Sequence, residues 1–241
     1  MPANTNYQNT GSSKFASVWD NSTTLADEGT FFVAQNPTVG TAIAMVTSVV
    51  DDAATASSTH AQSSPYIYIQ NRGALNDPNG KSLYLRYIKL FSRIADQAWT
   101  SATQALYSFR ADPTGDRRTT VGTALAIVNA NTGSGTGSAA SISAGGIVAS
   151  LPSASLGRVQ AHGLIQSSIP LAGSTWIWTF GDPSSPASFG YASVVNSLTI
   201  PVAPIVLAPG WSLQLDLWAT ALAAAPTFEL EIGYAERYSG L

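Results

Sequence analysis

Residues 201–218 read Pro201-Val-Ala-Pro-Ile-Val-Leu-Ala-Pro-Gly-Trp211-Ser-Leu-Gln-Leu-Asp-Leu-Trp218, and residues 227–234 read Thr227-Phe-Glu-Leu-Glu-Ile-Gly-Tyr234. Pro209-Gly210 pre-forms a turn: proline holds φ near −65°, and glycine accepts the positive φ of a type II turn. Beyond it apolar side chains fall on alternate positions, Trp211, Leu213, Leu215 and Leu217, with Ser212, Gln214, Asp216 and Trp218 between them. Phe228, Leu230, Ile232 and Tyr234 alternate in the same way with Glu229, Glu231 and Gly233. A period of two is the repeat of a strand with one face packed and the other wet. The stretch therefore predicts two antiparallel strands whose core side is Trp211, Leu213, Leu215, Leu217, Phe228, Leu230 and Ile232.

The same beat recurs along the chain. Strands are predicted at 30–33, 42–50, 65–70, 81–90, 100–109, 120–129, 146–150, 158–164, 174–180, 198–202 and 203–207, with Trp176, Trp178 and Phe180 on one face. In Lys81–Leu90 the apolar face switches near Tyr87-Ile88, which predicts a β-bulge there. Residues 53–64, 71–80, 111–119 and 181–190 are small, polar or rich in Gly and Pro and predict loops. Many short strands separated by turn signals predict an all-β fold, an antiparallel β-sandwich that is jelly-roll-like, with a mostly irregular N-terminal arm. The expected organisation is an arm over residues 1–29 and one sandwich domain over 30–241. Asn131-Thr-Gly-Ser-Gly-Thr-Gly-Ser138 is expected to be a mobile loop.

The composition narrows the function. Only 10% of the 241 residues are charged and the net charge is −3, against about 25% charged residues in ordinary soluble domains. A sparsely charged surface suits large buried interfaces and close packing of copies. There is no cysteine, which excludes disulfides and thiolate metal sites. No apolar run is long enough for a membrane-spanning helix. Met1-Pro-Ala-Asn-Thr-Asn lacks the basic and apolar regions of a secretory signal, so export by that route is not expected.

Motifs for catalysis are missing. His60 and His162 stand alone among small and polar residues, with no metal-binding spacing. The glycines at 133–137 come with no lysine and open no helix, unlike a phosphate cradle. Glu229 and Glu231 sit side by side on one strand rather than flanking a scissile bond, and read as a solvated face. Asp112-Pro-Thr-Gly-Asp116 supplies two carboxylates, too few for calcium. No enzyme activity and no cofactor are therefore expected. Residues 72–118 carry Arg72, Lys81, Arg86, Lys89, Arg93, Arg110, Arg117 and Arg118 against Asp77, Asp96, Asp112 and Asp116. These bases are spread over several strands, and neither nucleic acid nor membrane is an expected partner. Aromatic side chains are the remaining candidates. Phe15 and Trp19 in the arm, and Tyr66, Tyr68 and Trp218 on strands, are candidate interface or arm anchors, or platforms for a sugar ring.

The segments Pro204–Ala219 and Ala225–Arg237 resemble the C-terminal part of jelly-roll-like virion structural proteins of tailed bacteriophages. That resemblance implies a non-enzymatic capsid decoration, head or tail component. It also implies a homo-oligomer in contact with other virion proteins and located in the virion. A carbohydrate-binding β-sandwich module of a receptor-binding fibre, with a glycan as ligand, is the alternative.

Overall fold

The computed structural model describes residues 22–44, 65–92, 105–113, 115–148, 158–166, 174–181, 197–219 and 227–238. These contain one short helix, α1 (Ser22–Asp27), and an all-β body. Its strands are β1 (Phe31–Gln35), β2 (Ile43–Ala44), β3 (Ile67–Asn71), β4 (Lys81–Phe91), β5 (Ala105–Asp112), β6 (Arg118–Ala124) and β7 (Ala126–Asn129). They continue with β8 (Ala140–Val148), β9 (Arg158–Gln166), β10 (Thr175–Phe180), β11 (Ser197–Val202), β12 (Val206–Leu207), β13 (Ser212–Ala219) and β14 (Thr227–Tyr238). They make one sheet of eight strands and one of six.

Four antiparallel pairs nest inside one another: β1 with β14, β3 with β13, β4 with β10, and β5 with β9. This is one long two-stranded ribbon, read from its ends inward. The ribbon is wrapped so that β14 also pairs with β4 and β13 also pairs with β5. The wrapping distributes the ribbon over two sheets, in the orders β1-β14-β4-β10 and β3-β13-β5-β9 within the full strand order. Residues 118–148 are inserted between β5 and β9. They add β8 beside β3, β6 beside β8, and β7 beside β1.

The expected fully antiparallel pairing needs one correction, because β11 runs parallel to β10. A parallel neighbour needs a connection of about a dozen residues or more, and sixteen residues separate Phe180 from Ser197. Pro201 in β11 fits this edge position, where a missing N–H costs no ladder bond. The strand predicted over 120–129 is in fact two. Leu125 is buried in the core and its N–H bonds to the Ile142 carbonyl, so the chain steps there from one sheet to the other. Most of the strand predicted at 42–50, and the loop at 53–64, lie outside the described residues.

Both sheets contribute to one hydrophobic core. Leu213, Leu215, Leu217, Phe228, Leu230, Ile232, Trp176, Trp178 and Phe180 are buried in it. Rings from opposite sheets meet edge-on: Phe109 of the six-stranded sheet lies 5.9 Å from Trp178 and 5.2 Å from Phe180, and Tyr107 lies 5.5 Å from Trp178. Each such pair contributes about 0.5–1.5 kcal/mol beyond area burial. The 209–210 turn has Gly210 at φ +81° and closes through Trp211 N–H to the Ala208 carbonyl at 3.0 Å. Trp211 departs from its expected core position. It is only half buried, because it lies between that turn and the first residue of β13, with its indole N–H donating to Asn76 at 3.2 Å.

The apolar face of β4 changes through a shift of register against β14. Tyr87 pairs with Gly233 and Leu85 with Tyr234, leaving Arg86 unmatched. Leu83 and Leu85 on one side of the shift, and Ile88 and Leu90 on the other, thereby all reach the core. Outside this sheet Leu25 of α1 packs with Phe31 and Ala235, docking part of the lead-in segment.

The Gly/Ser segment 131–138 makes side-chain hydrogen bonds to its surroundings. The Asn131 carboxamide accepts from Gly133 N–H at 3.0 Å and donates to the Asp27 carbonyl at 3.2 Å. Ser138 donates to the buried Glu236 carboxylate at 2.6 Å, and Ala139 N–H donates to the same oxygen at 2.8 Å. The Asn and Ser side chains that mark the run as a loop are the ones that make these bonds.

Candidate interaction site

The outer face of β13 is not wet. Ser212, Gln214 and Asp216 are buried, as are Ser108, Arg110 and Asp112 on β5 and Tyr68 on β3. Register explains the grouping: Gln214 lies opposite both Tyr68 and Arg110, and Ser212 opposite both Gln70 and Asp112. Arg110 donates to the Asp216 carboxylate at 3.4 Å, and the Gln214 amide donates to the same carboxylate at 3.3 Å. Arg117 pairs with Asp112 at 3.4 Å. Charge therefore collects on this face in matched pairs, as low-dielectric burial demands.

Arg118, the first residue of β6, closes the cluster. Its guanidinium donates to Asp116 at 2.7 Å and to Gln70 at 2.9 Å, and stacks 5.1 Å above the Tyr68 ring. Burial pushes the Tyr68 hydroxyl above the ordinary tyrosine range. Burial also favours the neutral acid at Asp116, yet hydrogen bonds from Arg118 hold that carboxyl below the usual carboxylate range. Five of the bases in 72–118 are ion-paired: Lys81 with Glu236, Lys89 with Glu231, and Arg110, Arg117 and Arg118 with aspartates. They do not form an unpaired cationic stripe.

With Arg118 folded back, the rest of β6 is uncharged. Thr119, Thr120, Val121, Gly122, Thr123 and Ala124 follow it, and most of these residues are exposed. Among the described residues β6 pairs with β8 alone. Val121 is 61% exposed, and Ile147 on β8 and Val128 on β7 are 47% and 45% exposed, so apolar side chains accompany the open edge. The contact with β8 is tight. The space beside the Gly122 α-carbon is filled by the Ala144 carbonyl, and that beside Gly146 (φ +98°) by the Thr120 carbonyl and the Gly122 N–H. The backbone polar groups of Thr120 and Gly122 thus face β8. The Leu125 N–H bonds to the Ile142 carbonyl with Thr123 opposite Ala144, so the Thr123 backbone faces β8 as well and the strand does not alternate regularly.

The other sheet ends are protected in recognisable ways. β11 carries Pro201, β7 has four residues, and β9 begins at Arg158 and shifts register twice against β5. β6 has seven residues, no proline, no lysine and no carboxylate.

A second feature lies on the outer face of the eight-stranded sheet. A cleft of about 220 Å³ is lined by residues including Asn36, Lys89, Phe91, Glu229 and Glu231. Glu231 accepts from the Tyr87 hydroxyl at 2.9 Å and pairs with Lys89 at 4.0 Å. Asn36 is fixed by accepting from Leu230 N–H at 2.7 Å and donating to the Thr41 carbonyl at 2.6 Å. The two glutamates, read from sequence as a solvated face, sit in this cleft.

The anchors expected from sequence are dispersed. Phe15 and Trp19 lie outside the described residues. The backbone of Trp218 pairs with that of Leu106, and its side chain lies outside the described residues. Tyr66 is buried in the core, with its ring 5.9 Å from Phe228. Tyr68 is buried under Arg118, so neither tyrosine offers a ring to a partner; inter-sheet packing takes one and the arginine covers the other. The rim at β6 escaped sequence reading because its signal is the lack of charge in a strand whose edge position depends on distant pairing. No family model matches the chain, and comparisons with curated proteins and with solved structures return no match.

Proposed function

We propose that the chain is a non-enzymatic virion structural protein with a jelly-roll-like sandwich fold, assembling as a homo-oligomer on or in a phage particle as capsid decoration or as a head or tail component. The observation that carries this reading is the nested pairing of β1:β14, β3:β13, β4:β10 and β5:β9. A ribbon wrapped into two sheets in this manner is the plan of double-sheet jelly rolls, which viral capsid and lectin domains use. The step from that plan to a role is an analogy of fold. The physical support for assembly is the sparse charge and the unguarded rim at β6. Light scattering of the purified protein tests assembly, with a discrete multiple of the chain mass expected and a monomer at every concentration refuting it. Gene order tests the virion assignment: neighbouring capsid, portal or tail genes are expected, and a metabolic operon would remove it.

The cleft at Phe91 favours a second reading, a glycan-binding module. It combines an aromatic ring with two carboxylates and a fixed carboxamide, a combination that suits the faces and hydroxyls of a sugar. A glycan array with wild type and Phe91→Ala decides between the two: retained signal in wild type that the substitution abolishes would favour this reading.

A further inference from the structure

We infer that, whichever reading above holds, the segment Lys14-Phe15 of the N-terminal arm occupies the Phe91 cleft of its own subunit. Position, reach and complementarity point to this occupant. Leu25 of α1 packs with Phe31 and Ala235, and Val33, Tyr84 and Tyr87 pack against that group. In the β1–β14–β4 ladder these residues belong to two successive cross-strand rows, Phe31–Ala235–Tyr84 and Val33–Gly233–Tyr87. The next rows on the same face are Gln35–Glu231–Lys89 and Glu229–Phe91, which line the cleft. α1 and the cleft therefore share the outer face of the eight-stranded sheet, and α1 begins at Ser22.

The step along β14 from Ala235, under Leu25, to Glu229 in the cleft covers about 20 Å at ~3.4 Å per residue. The chain from Phe15 to Ser22 extends to about 24 Å, so Phe15 reaches Phe91 within one subunit. Ahead of Ser22 the chain carries one base, Lys14, and one acid, Asp20. The cleft holds the carboxylates of Glu229 and Glu231 against the single ammonium of Lys89, beside the Phe91 ring and Val39. Lys14-Phe15 brings a cation to the carboxylates and a ring to the apolar wall. A tether this short gives an effective concentration in the millimolar range, so a contact of modest intrinsic affinity is enough to hold the arm. An external ligand of the cleft has to displace it.

The chain has no cysteine, so disulfide trapping tests the inference without background thiols. Ala16→Cys is combined with Val39→Cys at the cleft, and with Leu75→Cys as a control. Val39 is 84% exposed and Leu75 53% exposed, so neither change touches the core. Leu75 lies in the loop that follows β3 of the six-stranded sheet, against Gly210. Oxidation of the full chain with diamide should close an intrachain disulfide at Val39→Cys roughly ten-fold or more faster than at Leu75→Cys. Lys14→Glu and Phe15→Ala, each added to the Ala16→Cys/Val39→Cys protein, should slow that closure roughly ten-fold. Equal rates at the two positions, or no closure at Val39→Cys, overturn the inference. So do rates that neither arm substitution alters, because Lys14 and Phe15 would then not be the anchors. A disulfide between two chains places the arm of a neighbouring copy in the cleft and overturns occupancy within one subunit.

Discussion

Gly233 shows how much one missing side chain can decide. The Tyr87 ring occupies the space a Cβ on Gly233 would need, opposite it in the ladder and beside the bulge that turns β4. Gly233→Ala should cost about 1–3 kcal/mol by overpacking. The same substitution in a Tyr87→Ala background should cost clearly less, because the ring is gone; equal costs in urea unfolding would show that the ring is not what excludes the methyl group. Asp116 carries a charge effect at the same scale. Its carboxyl is held below the usual range in the folded chain by Arg118, against the upward push of burial. A depressed folded value contributes stability that is present above the unfolded value, near 4, and is lost as pH falls through the folded one. Asp116→Asn should therefore flatten the fall of stability on acidification below about pH 4. An unchanged slope in the variant would place the acid sensitivity elsewhere. The Tyr87 bulge was legible in the sequence as a conflict of faces, since Leu83 and Leu85 alternate out of phase with Ile88 and Leu90. The hydrogen bonds of Asp116 were not, because an Asp beside a Gly in a loop looks the same whether or not an arginine closes over it.

At the scale of the strand, alternation and burial are different statements. The beat of Leu213, Leu215 and Leu217 locates β13 and its core face, and a period of two carries that far. It says nothing about what lies above Gln214 and Asp216. Their partner Arg110 stands more than a hundred residues earlier and meets them only through the β13–β5 register. Asp216→Ala should therefore cost about 3–5 kcal/mol, far more than a surface aspartate, because it removes the carboxylate that pairs with the buried Arg110 guanidinium. Replacing both, as Arg110→Met with Asp216→Leu, should recover much of the loss. A single-substitution cost below 1 kcal/mol in chemical unfolding would mean the pair is solvated after all. The break at Leu125 belongs here too. Thr120 to Asn129 reads as one strand by composition, and only the demand of the core for Leu125 divides it between two sheets.

For the whole molecule, all-β class and strand positions follow from local pattern, whereas the nesting of β1 with β14 and β3 with β13 joins segments at opposite ends of the chain. No local periodicity encodes such pairings, and their long loops make them costly to close in entropy. The parallel β11 is of the same kind, since Pro201 flags an edge but not a direction. The resulting architecture has a graded stability. β4 and β14 are paired on both sides and line the core, while β6 is paired on one side and mostly exposed. Amides of Ile88, Leu90, Leu230 and Ile232 should therefore exchange with deuterium only through global unfolding, and those of β6 much faster. Equal exchange in β6 and in the β4–β14 ladder would mean that the exposed strand opens only together with the core.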